Sequence, residues 1–129
     1  MNRYVLTVDL KDDRDAMAAY REHHRRVWPE VLDSLRRAGI ASMDIYLLER
    51  RAVRVLETDG REPERCFAAH VASGPRVSEW EALMKSLQEA PPGGDPAGWW
   101  VRMELVFSLE PQPPVEPPVP VAGNRAGQA

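Results

Sequence analysis

Tyr20 and His24 stand four residues apart in the run Tyr20-Arg21-Glu22-His23-His24-Arg25-Arg26-Val27-Trp28-Pro29-Glu30. On a helix that spacing sets a phenol and an imidazole one above the other on one face. Together they can hydrogen-bond a hydroxylated ligand and move a proton at neutral pH. The spacing by itself equally suits a partly buried pair with satisfied hydrogen bonds. His23 lies about 100° around the helix from His24, so the two cannot serve one pocket, and His23 is expected at the surface. His70 reads as a satisfied structural histidine. The three histidines come without carboxylates at metal-ligand spacing, which argues against a metal centre. Cys66 reads as a small core hydrophobe, since no cation is evident beside it to stabilise a thiolate.

The elements that must hold the pair follow from periodicity. Residues 3–10 alternate between two faces and make a first strand. Asp13 or Asp15 then caps a long helix running to about Ala38, with Gly39 as its stop. Met17, Tyr20, His24, Val27, Val31, Leu35 and Ala38 mark its buried stripe. Pro29 removes an amide donor, so the helix is expected to kink or restart near Trp28, whose indole packs the break. Residues 40–48 and 53–58 form two strands of an antiparallel hairpin, and residues 61–73 a short helix closed by Gly74-Pro75. A further helix is capped by Ser78 and carries Trp80, Leu83, Met84 and Leu87 on its apolar stripe. Residues 88–98 read as a loop and residues 99–109 as a final strand. Trp99 and Trp100 are assigned to sheet and dimer packing, with one of them in reach of a cavity.

The order β-α-β-β-α-β predicts an α+β, ferredoxin-like split βαβ fold: an antiparallel sheet with helices on one face. The last strand nevertheless carries apolar side chains on both faces. Trp99, Val101, Met103, Leu105, Phe107 and Leu109 point one way, Trp100 and Val106 the other. A bare apolar sheet face calls for face-to-face pairing with the sheet of a second copy, hence a homodimer.

Composition limits the alternatives. The 129 residues suit one domain, and 43% hydrophobic content suits an ordinary core. From Glu110 the chain reads EPQPPVEPPVPVAGNRAGQA, which cannot bury enough surface to offset its ordering entropy. Residues 1–110 are therefore expected to be the folded domain and residues 111–129 a Pro-rich disordered tail. A net charge of −3, with each arginine pair flanked by acids, gives no nucleic-acid footprint. No apolar run approaches the ~18 residues of a membrane span. The opening residues lack a signal peptide's apolar segment. The single cysteine fits a reducing cytoplasm.

Taken as a set, Tyr20-x-x-x-His24-x-x-x-Trp28-Pro29-Glu30, Gly39, Ile45-Tyr46-Leu47, Leu56-Glu57-Thr58-Asp59, Trp80-x-x-x-Met84 and Val106-Phe107-Ser108-Leu109 resemble the L-rhamnose mutarotases. The likeness spans about residues 3–109. It implies a small dimeric α+β barrel that interconverts the α and β anomers of a free sugar without metal or organic cofactor. It places the proton donor on His24, a sugar-binding tyrosine on Tyr20 and a sugar-lining tryptophan on Trp80. There are departures. A second sugar-contacting tyrosine aligns with Met43. Some members carry Trp-Trp where this chain has Trp80-Glu81. The usual Glu-Val-Phe ending is Leu105-Val106-Phe107, with the carboxylate moved one residue to Glu104, which puts it on the opposite face of a strand.

The resemblance implies a mechanism in which His24 protonates the ring oxygen, Tyr20 holds a sugar hydroxyl and Trp80 offers a flat wall. Imidazole, with an ordinary pKa of about 6.5, suits that work at neutral pH. Met43 and Leu105 leave a second reading open: a repurposed barrel enzyme of secondary metabolism, such as a cyclase, isomerase or cofactor-free oxygenase, acting on a less polar molecule. A non-catalytic binding module is the third.

Overall fold

A computed structural model describes residues 2–96 and 99–110. The order is β1 (Asn2–Leu10), α1 (Arg14–Arg25), α2 (Pro29–Arg37), β2 (Ile40–Leu48), β3 (Arg51–Thr58), α3 (Pro63–Val71), α4 (Pro75–Ser86), β4 (Gln88–Glu89) and β5 (Val101–Arg102). The sheet runs β2-β3-β1-β4, with β5 also on β1, and every pairing is antiparallel. Because β3 lies between β1 and β2, the split βαβ arrangement expected from the sequence is present.

Local chemistry explains the boundaries. Asp13, not Asp15, caps α1, its carboxylate accepting from the Asp15 amide at 3.0 Å. The predicted long helix divides completely at residues 26–28, and α2 restarts with Trp28 as N-cap and Pro29 in the first turn, where a missing N–H costs nothing. Gly39 ends α2 with φ +104°, and a Cβ there would come within 2.5 Å of Arg61 Nη2. Only glycine satisfies both conditions.

Three expectations need correction. The fourth helix begins at Pro75, with Gly74 as N-cap, so Ser78 lies inside it and its hydroxyl donates to the Val71 carbonyl instead. Proline's preset φ is a stronger start signal here than a capping hydroxyl. The expected loop 88–98 opens with a strand, Gln88 and Glu89 pairing with Leu10 and Asp9. The expected strand 99–109 contracts to Val101–Arg102, opposite Thr7 and Leu6, with one further bond from the Met103 amide to the Val5 carbonyl. Beyond it Leu105, Val106, Phe107 and Leu109 are all exposed, so the predicted two-face alternation does not develop in the single chain. A strand persists only where a neighbour accepts its ladder. The Pro-rich segment 111–129 lies outside the described residues.

Two apolar groups fill the space between sheet and helices. Leu10, Tyr20, Val31, Trp80 and Met84 join α1, α2 and α4 to β1. Leu6, Ile40, Leu56 and Cys66 anchor α3. Cys66 is fully buried, and burial pushes its thiol pKa up, as suits a core hydrophobe. Alternate residues of β3, namely Ala52, Arg54, Leu56 and Thr58, are buried. One of them is an arginine.

Candidate active site

His24 occupies the last turn of α1, just ahead of the break that Pro29 imposes. Its Nδ1 lies 2.7 Å from the Tyr20 carbonyl oxygen. A carbonyl only accepts, so Nδ1 carries the hydrogen and donates, which leaves Nε2 as the nitrogen available for chemistry. Partial burial lowers the His24 pKa; the Tyr20 carbonyl raises it, and nearby His23 lowers it further. The ring is therefore neutral at pH 7, with a basic Nε2.

Tyr20 lies beside it, ring centroids 4.3 Å apart and planes tilted by 40°. The two rings meet in tilted contact rather than joining through the hydroxyl. The buried phenol hydrogen-bonds the Gln88 side chain, and burial raises its pKa to about 12, so it stays protonated throughout the neutral range. Trp80, from α4, meets His24 edge-on at 5.6 Å and Trp28 at 5.2 Å. Trp28 is in turn covered by the Arg76 guanidinium at 3.6 Å. The Trp28 indole thus packs the helix break, as expected, and also buttresses Trp80.

Tyr20, His24 and Trp80 border a chamber of about 380 Å³, within the usual range for small-molecule sites. Its remaining walls are mostly aliphatic: Val27, Val31, Leu32, Leu35, Ile45 and Leu47, with Met43 beside them and Arg21 and Asp44 as the charged members. Tyr20, His24, Met43 and Trp80 also border a smaller inner recess of about 40 Å³, whose further walls include Arg54, Glu81, Gln88, His70 and Trp100. The outer chamber can seat a sugar ring. The recess has room only for a substituent, since a void of this measure needs ~10–15 Å³ to admit one water.

The predicted site residues Tyr20, His24 and Trp80 therefore converge, although Trp80 comes from a different helix. His23 is half-buried rather than on the surface, its ring edge-on to Trp80 at 6.2 Å, and it does not border the chamber. His70 is buried with both nitrogens occupied: Nδ1 is 2.8 Å from Ser34 Oγ, and Nε2 is 3.3 Å from Glu81 Oε1. Met43 stands on the wall of both spaces, whereas Glu104 and Leu105 are exposed and border neither. Of the two tryptophans assigned to packing, Trp100 reaches the recess.

Two polar residues of the recess, Arg54 and Gln88, carry no expectation from the sequence. A signal for Arg54 was present, because it puts a charge in the uncharged register of Ala52, Leu56 and Thr58 on β3. Gln88 left none. It sits in a strand of two residues, too short for periodicity to register. Among the described residues no group of three or more His, Cys, Asp or Glu is placed to hold a metal ion. No helix among them is long and apolar enough to cross a membrane.

Comparison with known proteins places this geometry in a family. The L-fucose mutarotase of Xanthomonas campestris pv. campestris is 38% identical over 111 residues, covering 84% of this chain and 89% of that protein. The crystal structure of an L-rhamnose mutarotase from Formosa agariphila superposes with a TM-score of 0.61 at 21% identity, over 85% of this chain and all of that one. Tetracenomycin F2 cyclase from Streptomyces glaucescens shares the fold at a TM-score of 0.52 and 15% identity, over 87% of this chain and all of the cyclase. The L-rhamnose mutarotase family profile matches residues 3–109, and the chain belongs to that family.

Proposed function

We propose that the protein is a cofactor-independent mutarotase that interconverts the α and β anomers of a free L-rhamnose- or L-fucose-like pyranose through acid–base catalysis by His24. Family membership and the L-fucose mutarotase relative support sugar mutarotase activity, an isomerase-type reaction. The observation that carries the residue assignment is the tautomer. The Tyr20 carbonyl holds the hydrogen on Nδ1, so a neutral imidazole offers Nε2 at the chamber.

A neutral resting His24 sets the order of proton movements. Nε2 accepts the proton of the anomeric hydroxyl as the bond between C1 and the ring oxygen breaks. The same Nε2–H then protonates the ring oxygen, leaving the open aldehyde and a neutral imidazole. Both oxygens are attached to C1 before opening, so one nitrogen can reach each in turn. Rotation about the C1–C2 bond followed by the reverse steps gives the other anomer. Tyr20, protonated throughout, positions a sugar hydroxyl, and Trp80 lies against the sugar's C–H face. No step requires a metal or a cofactor.

We further propose a homodimer. Leu105, Val106, Phe107 and Leu109 are exposed in one continuous segment, with Tyr46 and Leu48 on β2 also exposed. A second copy is the simplest cover for that much apolar surface. The test of function is anomer exchange of L-rhamnose and L-fucose followed by saturation-transfer NMR. Acceleration of either sugar over the uncatalysed rate is expected, and no acceleration refutes the assignment. The aliphatic chamber walls favour one alternative, a less polar substrate on the same barrel. Tight binding of a polycyclic aromatic with no sugar turnover would establish it.

A further inference from the structure

We infer that Arg54, facing Glu81 across the inner recess, is a substrate-binding residue that recognises one hydroxyl of a neutral polyol. The inference rests on reading the chamber as a sugar site and assigns a binding role to residues outside the His24 chemistry.

Arg54 lies on the helix-covered face of β3, in register with Leu6 on one side and Ile45 on the other. It is only 9% exposed, and its Nε has no hydrogen-bond acceptor. The guanidinium carbon lies 3.9 Å from the centroid of Phe67 and 4.0 Å from that of Trp100. These contacts hold the group in place without giving Nε–H an acceptor. Across the recess Glu81 is held by His70, and among the described residues no ion pair within 4 Å joins it to Arg54. A purely structural arginine would close that gap with a direct ion pair, because an unmet buried donor is costly. Here a buried donor and a half-buried acceptor border a void the size of one substituent.

The void's chemistry selects its occupant. A hydroxyl can accept from a guanidinium and donate to a carboxylate at the same time. An apolar substituent would leave the Arg54 Nε–H unpaired. A carboxylate would satisfy Arg54 but face the like charge of Glu81 at short range. The aliphatic outer chamber then takes the ring's C–H face and any methyl substituent, while the recess takes the hydroxyl.

The test uses the full chain with L-rhamnose, L-fucose and the monodeoxy analogues of the faster substrate, measuring KM and kcat for anomer exchange and Kd by calorimetry. In wild type, one monodeoxy analogue should bind about 10- to 100-fold more weakly than its parent, the range for a hydrogen bond to a charged group. Arg54→Met should weaken the parent sugar by the same factor with kcat changed less than about threefold, and it should abolish discrimination against that analogue. Glu81→Gln should weaken the parent and the analogues that keep this hydroxyl, and leave the analogue lacking it unchanged. Should Arg54→Met fail to fold, the wild-type analogue series and Glu81→Gln still decide. If wild type turns over a sugar but no analogue is discriminated, or Arg54→Met leaves every affinity unchanged, the Arg54 assignment falls and the mutarotase assignment stands. Sugar binding that depends on Arg54 without faster anomer exchange supports the assignment and refutes the mutarotase. No binding of any of these sugars, or tighter binding of the uronic acid D-galacturonate, overturns the neutral-polyol site.

Discussion

Replacing His24 with asparagine separates the chemistry of this side chain from its packing. The imidazole makes three contacts: the 2.7 Å bond from Nδ1 to the Tyr20 carbonyl, the Tyr20 ring at 4.3 Å and the edge of Trp80 at 5.6 Å. An asparagine amide can still donate to that carbonyl, but it cannot take or give a proton. Losing the acid–base group should cost ~10²- to 10⁴-fold in kcat, or about 2.7–5.5 kcal/mol of barrier. Stability should fall by only about 1 kcal/mol, because the backbone bond is kept and the site is half-exposed to the chamber. The assay is saturation-transfer NMR between the anomeric protons, corrected for uncatalysed exchange, with thermal melts of both proteins.

The pH profile of wild type completes that test. Burial lowers the His24 pKa, so activity should stay level as pH falls to the ordinary value of about 6.5 and decline only below it. The stability contribution follows the same sign. The folded pKa lies below the unfolded one, so the unfolded chain takes up the proton first as pH drops. This contribution is complete above about 6.5 and fades as pH falls from there towards the folded pKa. A His24→Asn protein within threefold of wild type, or wild-type activity that climbs as pH is lowered through 6.5, would refute the mechanism.

Other outcomes follow from the same geometry. Tyr20→Phe should leave the buried Gln88 without its phenol partner, lowering stability by about 1–3 kcal/mol and raising KM, as read from urea melts and exchange kinetics. With the phenol pKa near 12, wild type should show no alkaline loss of activity at pH 10 from this group. Gly39→Ala should destabilise by about 1–3 kcal/mol, since φ is +104° and the new methyl would press on the Arg61 and Asp59 side chains; an unchanged urea midpoint would contradict this. Phe107→Lys should shift the protein from dimer to monomer in analytical ultracentrifugation, because it charges an exposed apolar segment. A wild type that sediments as a monomer would end the dimer proposal.

Much of the fold was legible because its signals are local. The strand patterns in residues 3–10 and 53–58, a stripe every three or four residues through α1 and α2, and the punctuation at Pro29 and Gly39 each involve neighbours along the chain. Signals failed where two local cues competed or the decisive partner was distant. Ser78 looked like a cap, yet Pro75 with its fixed φ starts the helix three residues earlier. Residues 103–109 carry strand-like side chains, but among the described residues no backbone partner continues the ladder on β1 after Met103.

The sequence by itself determined that an imidazole and a phenol would share a helix face just before a forced break, because spacing along a helix is a property of neighbouring residues. Only the tertiary structure decided which nitrogen of His24 is free, that Trp80 closes over it, and that Arg54 and Glu81 meet across a gap behind it. The first needs the rotamer that turns Nδ1 onto a carbonyl one helical turn back; the others depend on segments far apart in the chain being packed together, and no local periodicity encodes the distance between them.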